Sequence, residues 1–406
     1  MKSISALSQQ YTQRFQDFSS SFVLRAPHHS LRLCVVIPAH QENLRTTFQS
    51  LGNCSIHEPE AVEIILVVNQ SVETEEWRLK HEEQIAYWQG RSLENKVVVR
   101  VLGALEMPVK TAGVGLARKI GMDKALARLA LVGRDGLIVC LDADCTVSKN
   151  YLTELLKAEA AKWNGLSLRY AHPTSGLDPQ NLRRIVNYEI WLRYYHLALQ
   201  WSGYRHYYAT VGSSMAVRAS VYAKVGGMNQ RKAGEDFYFL HKVMPHGHFG
   251  QLNQVCVYPS PRVSVRVPFG TGRAMLEQER GQKDFTYLYA PEIFQELYSF
   301  HQWVQHHAFR SSSVAPDFWK NFLQAHPKLN QSFNKLLQRS KNQKQWLANF
   351  WFWWDGFRLL KFVHARQKFW KDVPRNQALM KLFKITGTEL ELLDKMRALD
   401  IERSTP

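Results

Sequence analysis

The sequence predicts an α/β fold, in which a doubly wound and mostly parallel sheet is followed by a C-terminal helical region. Three patterns support this prediction. Short apolar runs alternate with helical stretches over residues 31–145, apolar residues recur at helical spacing over residues 114–131, and the chain after about residue 285 is helical in pattern and rich in Trp, Phe, Lys and Arg. Strands that alternate with helices form parallel sheets covered on both faces.

The strands of the first half are short, continuous apolar runs, which are typical of buried strands. They are predicted at Leu33–Ile37, Glu63–Val68, Lys96–Leu102 and Gly136–Leu141. Ligands of such sheets bind at the carboxyl ends of the strands. Since Pro38, Asn69 and Asp142 each follow a predicted strand, we expect them to line one crevice.

The pattern beyond residue 145 is less regular. Helices are predicted over residues 178–201 and from Glu235 onward, and strands at Gln254–Tyr258 and Arg262–Val267.

Composition bounds the class of protein. The 406 residues are enough for two or three structural units. Residues 1–15 are polar and do not resemble a signal peptide, and no run of about 18 apolar residues predicts a membrane-spanning helix. Five scattered cysteines without a CxxC pair favour reduced thiols over a zinc site or a disulfide framework. These features predict a cytoplasmic protein.

Positive charge is concentrated near the C-terminus. The formal net charge is +17, and residues 301–406 hold 18 Lys and Arg against 8 Asp and Glu. Such a field favours polyanions, which include phosphorylated substrates, acidic lipid head groups and nucleic acid. Because no RNA-binding signature accompanies the aromatic residues, we expect no nucleic-acid partner.

The clearest local signal is the segment Leu141–Cys145, which reads LDADC at the end of a predicted strand. Its two carboxylates, Asp142 and Asp144, can share one hard cation. Mg²⁺ and Mn²⁺ prefer oxygen ligands and complete their shells with water or substrate phosphate. A solvated turn at a sheet edge gives the same pattern, because Asp is a common turn residue.

Six segments form an ordered set along the chain. They are Val35–Glu42 (VVIPAHQE), Ile65–Asn69 (ILVVN), Gly115–Arg118 (GLAR), Leu141–Cys145 (LDADC), Gly212–Met228 (GSSMAVRASVYAKVGGM) and Gly234–Asp236 (GED). Together they resemble the motifs of family 2 glycosyltransferases with the GT-A fold, in the same order and over about residues 31–270. The resemblance implies an enzyme that moves a sugar from a nucleotide-sugar donor to a hydroxyl acceptor.

The resemblance also implies a role for each acidic motif. Asp142 would contact the ribose or sugar of the donor, and Asp144 would hold Mg²⁺ or Mn²⁺ at its diphosphate. Inverting transfer needs a carboxylate that takes the proton of the acceptor hydroxyl. Asp236 is the predicted base and Glu235 the alternate, whereas a helix-capping acid is the structural alternative. Transfer with retention of configuration stays open.

Further donor contacts follow from the same resemblance. They are Pro38, Ala39, Glu42, Asn69, Lys110 and Arg118, of which the last two would meet the diphosphate. His40 and Gln41 replace the usual Tyr-Asn of the family, and Asn69 stands where Asp is common. Uridine and guanosine donors therefore both stay open.

A second basic segment follows Tyr258. Arg262 and Arg266 lie four residues apart on a predicted strand, and the turn from Gly270 to Gly272 comes directly after them. A cationic strand beside exposed backbone amides suits a phosphate or an acceptor group. A surface strand with an ordinary turn is the alternative.

We divide the chain into four parts. Residues 1–30 are an N-terminal helical extension, 31–145 the nucleotide-sugar-binding half of the GT-A domain, 146–284 its acceptor-binding half, and 285–406 a basic, aromatic-rich helical region. The aromatic residues between Trp346 and Phe369 either pack onto the enzyme or lie on an anionic membrane. Their spread around the helix favours packing, and peripheral contact with the inner face of the membrane stays open.

The expected partners are a nucleotide-sugar donor and an acceptor that is a glycan, a lipid-linked compound or a small molecule. A sugar nucleotidyltransferase and a non-catalytic nucleotide-sugar-binding protein are the alternative functions. The first would carry a G-x-G-T-R turn after the first strand, where this chain has Pro38-Ala39-His40. The presence of Asp142, Asp144 and Asp236 disfavours the second.

Overall fold

A computed structural model describes residues 2–15, 18–232, 234–265, 269–306, 308–309 and 314–404. The chain forms two compact units. The first, called the sheet unit below, comprises residues 1–177, 210–276 and 404–406; the second, called the helical unit, comprises residues 178–209 and 277–403. The division into four parts that the sequence predicts stays a prediction.

The strands of the described residues are β1 (Leu33–Ala39), β2 (Val62–Ser71), β3 (Val98–Met107), β4 (Leu137–Cys140), β5 (Thr146–Val147), β6 (Gly165–Tyr170), β7 (Met215–Arg218), β8 (Phe249–Tyr258), β9 (Tyr287–Leu288) and β10 (Val373–Pro374).

The α-helices are α1 (Ile4–Arg14), α2 (Arg45–Gly52), α3 (Arg78–Trp88), α4 (Val114–Leu131), α5 (Tyr151–Ala160), α6 (Pro179–Trp201), α7 (Ala219–Lys224), α8 (Glu235–Val243), α9 (Thr271–Glu279), α10 (Pro291–His306), α11 (Asp317–Gln324), α12 (Pro327–Arg339), α13 (Gln343–Trp353), α14 (Gly356–Gln367), α15 (Arg375–Phe383) and α16 (Glu389–Ser404).

One sheet organises the sheet unit. Within the described ranges its eight strands run in the order β3-β2-β1-β4-β7-β6-β8-β5. The pairs β1–β2, β1–β4, β2–β3 and β6–β8 are parallel, whereas β7 is antiparallel to β4 and β6, and β5 is antiparallel to β8. The predicted α/β fold with a mostly parallel sheet is confirmed.

Buried apolar runs explain the parallel half of this sheet. All seven residues of β1 are buried, as the uninterrupted run of apolar residues predicts. Helix α4 packs against β1 and β2 at Gly121, where a Cβ would lie 2.3 Å from Cγ1 of Val36 and 2.9 Å from Cγ2 of Val67. The four strands predicted in this half and the helix predicted over residues 114–131 are therefore confirmed.

The strand predicted at Arg262–Val267 is wrong for residues 262–265, which have no regular secondary structure. Pro259 and Pro261 immediately follow β8 and carry no backbone N–H, so the strand cannot continue its ladder past Tyr258.

Helix α1 is joined to the sheet unit by a buried polar cluster. The Tyr11 hydroxyl donates to Asp123 Oδ1 (2.6 Å) and accepts from Lys119 Nζ (2.8 Å), which also donates to Asp123 Oδ2 (2.7 Å). The Tyr222 hydroxyl donates to the same Asp123 oxygen at 2.6 Å. Gly227 makes room for this arrangement, because a Cβ there would lie 2.2 Å from the Tyr11 hydroxyl oxygen.

The core of the helical unit is aromatic. Trp346, Phe350, Trp354 and Phe362 are fully buried in it, so these side chains of the basic tail pack as core residues. Asp355 ends the apolar stretch by capping α14, since its carboxylate accepts hydrogen bonds from two backbone N–H groups of that helix. No helix in the described part of the chain is long and apolar enough to cross a bilayer.

Candidate active site

The carboxyl ends of the central strands bring several predicted residues together in the sheet unit. Pro38 and Ala39 are the last two residues of β1, Asn69 lies near the end of β2, and the Asp142–Asp144 turn follows β4. Parallel strands that end at one edge of a sheet place their following residues side by side. The structure therefore places these residues at the same edge of the sheet, where the sequence predicted a crevice.

The loop after β1 is fixed by hydrogen bonds. The Glu42 carboxylate accepts from the backbone N–H groups of His40 (2.7 Å) and Gln41 (3.1 Å). Asn69 Nδ2 donates to the carbonyl oxygen of Ala39 (2.7 Å), and His40 Nδ1 lies 2.8 Å from the carbonyl oxygen of Asn69. Glu42 and Asn69 thus shape the wall of the crevice, and their contact with a donor stays a prediction.

His81 of α3 supports this loop, although nothing in the sequence singled it out. Its Nδ1 lies 2.6 Å from the side-chain oxygen of Gln70, and its Nε2 contacts the carbonyl oxygen of His40. Burial, reinforced by His40, lowers the pKa of His81 to about 4, so the ring is neutral at physiological pH. A lone histidine on a polar helix has no sequence signature for such a role.

Arg118 joins two of the acidic motifs. Its guanidinium donates to Asp142 Oδ1 through Nη2 and to Glu235 Oε1 through Nη1. Burial opposes the charged form of Arg118, but Asp142 and Glu235 outweigh burial and raise its pKa. Gly212 leaves the space for this group, since a Cβ there would lie 2.6 Å from Nη1 of Arg118. The GLAR, LDADC, GSS and GED segments therefore meet at one buried cation.

Asp236 follows Glu235 in the first turn of α8. Its Oδ1 accepts a hydrogen bond from the backbone N–H of Phe237 at 2.7 Å. Burial, with a further contribution from Glu235, raises the pKa of Asp236 to about 6, although Arg118 and the bond from Phe237 act in the opposite direction. A carboxylate with a pKa near neutrality is suited to exchange a proton at physiological pH.

Asp144 has a different arginine partner. Nε and Nη2 of Arg262 lie 2.8 Å and 2.7 Å from Asp144 Oδ2, and Nη2 also lies 3.6 Å from Glu42 Oε1. Burial and then Asp142 raise the pKa of Asp144, while Arg262 lowers it. The sequence predicted Arg262 as a phosphate or acceptor contact and gave no sign of this link between the loop after β1 and the Asp142–Asp144 turn.

The remaining predicted residues are less closely tied to this cluster. Lys110 is exposed and makes no ion pair among the described residues. Arg266 lies outside the described residues. Gly272 lies in the first turn of α9 and packs against the segment of Arg262, because a Cβ there would lie 2.5 Å from Cβ of Ser264 and 3.3 Å from the Arg262 carbonyl oxygen. Gly270 has open space around it and a φ of +94°.

Residues 34–226 match the family model described as Glycosyl transferase family 2. The chain contains a family 2 glycosyltransferase domain. This glycosyltransferase domain begins within β1 and ends just after α7, so it includes the Asp142–Asp144 turn and Arg118. The family resemblance is confirmed over residues 34–226, which contain the first four of the six motifs in full. No curated protein sequence matches the chain.

Solved structures of TarS from S. aureus are similar to this glycosyltransferase. TarS 1-349 matches with a TM-score of 0.38 at 10% identity, over 92% of this chain and 91% of that chain. TarS 1-349 in complex with UDP has the same TM-score and coverage at 12% identity. A longer TarS structure matches at 0.38 and 14% identity, over 92% of this chain and 54% of that one. Similarity at this level assigns neither donor nor acceptor to this chain.

Proposed function

We propose that this glycosyltransferase moves a sugar from a nucleoside-diphosphate donor to a hydroxyl acceptor with inversion of configuration. In this reaction Asp144 binds a divalent metal, and Asp236 is the base. The observation that supports it most is the Arg118 cluster, which ties the Asp142 carboxylate to Glu235, the neighbour of Asp236. The family match favours transfer over the nucleotidyltransferase and non-catalytic alternatives.

The carboxylates fit a hard cation that shares the phosphates of a substrate. No group of three or more His, Cys, Asp or Glu side chains that could hold a metal is present in the described part of the chain. Mg²⁺ does not need three protein ligands, because it is usually bound by one or two carboxylates and completes its shell with water and phosphate oxygens. Burial, and after it the neighbouring Asp142, raises the pKa of Asp144. A divalent cation would offset the negative charge that Asp142 and Glu42 place beside this carboxylate.

Each residue then has a defined task in the reaction. Asp236 accepts the proton of the acceptor hydroxyl, whose oxygen forms the new bond to the anomeric carbon as the nucleoside diphosphate leaves. We assign Arg118 a positioning role, because it holds Asp142 and Glu235 in place, instead of the diphosphate contact that the resemblance implied. Bound Mg²⁺ or Mn²⁺ at Asp144 would neutralise the charge of the leaving diphosphate.

A thermal-shift screen tests this function. Nucleoside diphosphates and their sugars are added with and without Mn²⁺, because a ligand that binds only the folded protein raises its melting temperature. We expect one uridine or guanosine donor to raise the melting temperature, and we expect the increase to be larger when Mn²⁺ is present. If no nucleoside diphosphate or nucleotide sugar gives a rise under either condition, the proposed donor class is wrong.

We also propose a cytoplasmic enzyme that touches an anionic membrane through residues 361–371. Lys361, Lys368 and Lys371 are exposed there, and Phe369 is 70% exposed. Residues 356–371 contain no acidic side chain. Basic residues beside an exposed aromatic ring are typical of segments that lie on acidic lipids. The acceptor would then be lipid-linked or held near the membrane.

A further inference from the structure

Arg262 occupies one oxygen of Asp144 with two of its nitrogens. Nε and Nη2 both lie within 2.8 Å of Oδ2, and Nη2 also faces Glu42. A cation that binds Asp144 through this oxygen must displace the guanidinium, because both need the same lone pairs. Arg262 therefore places a positive charge directly beside Asp144 and Glu42.

The placement of Arg262 allows it to move. The residue belongs to a stretch without regular secondary structure between β8 and α9, and its side chain is 39% exposed. The backbone after it is held separately, since the N–H of Ser264 donates to the carbonyl oxygen of Gly272 at 3.0 Å. Rotation of the side chain can thus release Asp144 while the backbone stays in place.

We propose that Arg262 is an exchangeable counter-ion, which neutralises Asp144 and Glu42 in the free enzyme and passes to the donor diphosphate when the metal takes its place on Asp144. The inference rests on the proposed metal site. The guanidinium fork is well matched to phosphate oxygens, and the charge balance favours the exchange because metal and diphosphate arrive together. It follows that the enzyme should bind the metal weakly in the absence of nucleotide and tightly in its presence.

Two substitutions at this position separate the steps. Arg262→Gln removes the competing charge, whereas Arg262→Lys keeps the charge and loses the fork. Arg45→Gln is the matched control, because Arg45 is exposed, lies close to Glu42 in the chain and forms no ion pair among the described residues.

Electron paramagnetic resonance of Mn²⁺ measures metal binding without any turnover, first alone and then with saturating UDP or GDP. Without nucleotide, we expect Arg262→Gln to bind Mn²⁺ about tenfold more tightly than the wild type, the change expected from one charge-assisted contact. Its affinity for nucleotide should fall about tenfold or more, because the diphosphate loses the same contact. Both affinities of Arg262→Lys should lie between those of the wild type and of Arg262→Gln. Both affinities of Arg45→Gln should match those of the wild type.

An unchanged or weaker Mn²⁺ affinity of Arg262→Gln without nucleotide would show that Arg262 does not compete with the metal, even if wild-type protein binds Mn²⁺ with nucleotide. If no variant binds Mn²⁺ under any condition, the metal site itself is wrong and the proposed metal dependence falls with it. The two failures are therefore distinguishable.

Discussion

Two arginines neutralise the two aspartates of the Asp142–Asp144 turn, and they do so in different surroundings. The Arg118 side chain is 4% exposed and rises from the regular helix α4, whereas the Arg262 side chain is 39% exposed and comes from an irregular segment. Removing one partner of a buried pair leaves an uncompensated charge, but an exposed pair contributes little to stability. The ion pairs of Arg118 should therefore stabilise the fold, whereas Arg262 should give up Asp144 to a metal ion.

The largest effect on activity is expected at Asp144, the partner of Arg262. Asp144→Ala should abolish transfer, because the proposed metal would lose its protein ligand, while the melting temperature stays close to that of the wild type. Asp317→Ala is a control for the loss of a carboxylate, since the Asp317 side chain is 90% exposed in the helical unit. Turnover is measured as release of nucleoside diphosphate, and normal turnover of Asp144→Ala in EDTA would rule out the metal assignment.

Asp236 should affect the rate and leave donor binding in place. We expect Asp236→Asn to lower the turnover rate by about 10²–10⁴-fold, the usual contribution of a general base. If Asp236 is the base, it must be ionised to act, so activity of the wild type should rise as the pH increases through its pKa of about 6. A loss of donor affinity with an unchanged rate constant would instead make Asp236 a binding residue.

A smaller effect, on stability alone, is expected at the N-terminal helix. Tyr11→Phe removes the hydroxyl that donates to Asp123 and accepts from Lys119, so the free energy of unfolding should fall by about 1–3 kcal/mol. Tyr87→Phe is the control, because Tyr87 is 56% exposed. Urea unfolding measures both, and equal stabilities would mean that the buried cluster does not hold α1.

The smallest effect concerns the membrane surface. Replacing Lys368 and Lys371 by Glu should reduce sedimentation with phosphatidylglycerol vesicles at low salt, because each lysine near an anionic surface contributes about 1 kcal/mol. The same exchange at Lys328 and Lys335, which are exposed on α12, controls for net charge. If wild-type protein does not sediment at low salt, residues 361–371 do not bind acidic lipid.

The parallel half of the sheet could be predicted because β1 and β4 are fully buried, β2 is almost fully buried, and their sequences are therefore mostly apolar. The resemblance singled out Asp142, Asp144, Glu235 and Asp236 because they stand in short motifs, and their roles in a reaction stay predictions. The pairing of Arg118 with Glu235 could not, because the two residues are 117 positions apart and local spacing carries no information about such contacts.

The segment around Arg262 shows the opposite case. Its alternating Arg and Val residues have the period of a strand, but Pro259 and Pro261 decide the conformation by removing two backbone donors. The tail was predicted correctly where packing dominates, since Trp346 and Phe350 are core residues.

Melting temperatures of Arg118→Gln and Arg262→Gln test the central comparison most directly. Each is measured without ligand, and again with Mn²⁺ and the nucleoside diphosphate that the thermal-shift screen selects. We predict that Arg118→Gln lowers the melting temperature of the free protein, because Glu235 is left buried and unpaired. Arg262→Gln should keep the melting temperature of the free protein and show a smaller rise with ligand. A stable Arg118→Gln, or an Arg262→Gln variant with a lowered melting temperature and a full ligand response, would contradict the assignment of fold to one arginine and ion exchange to the other.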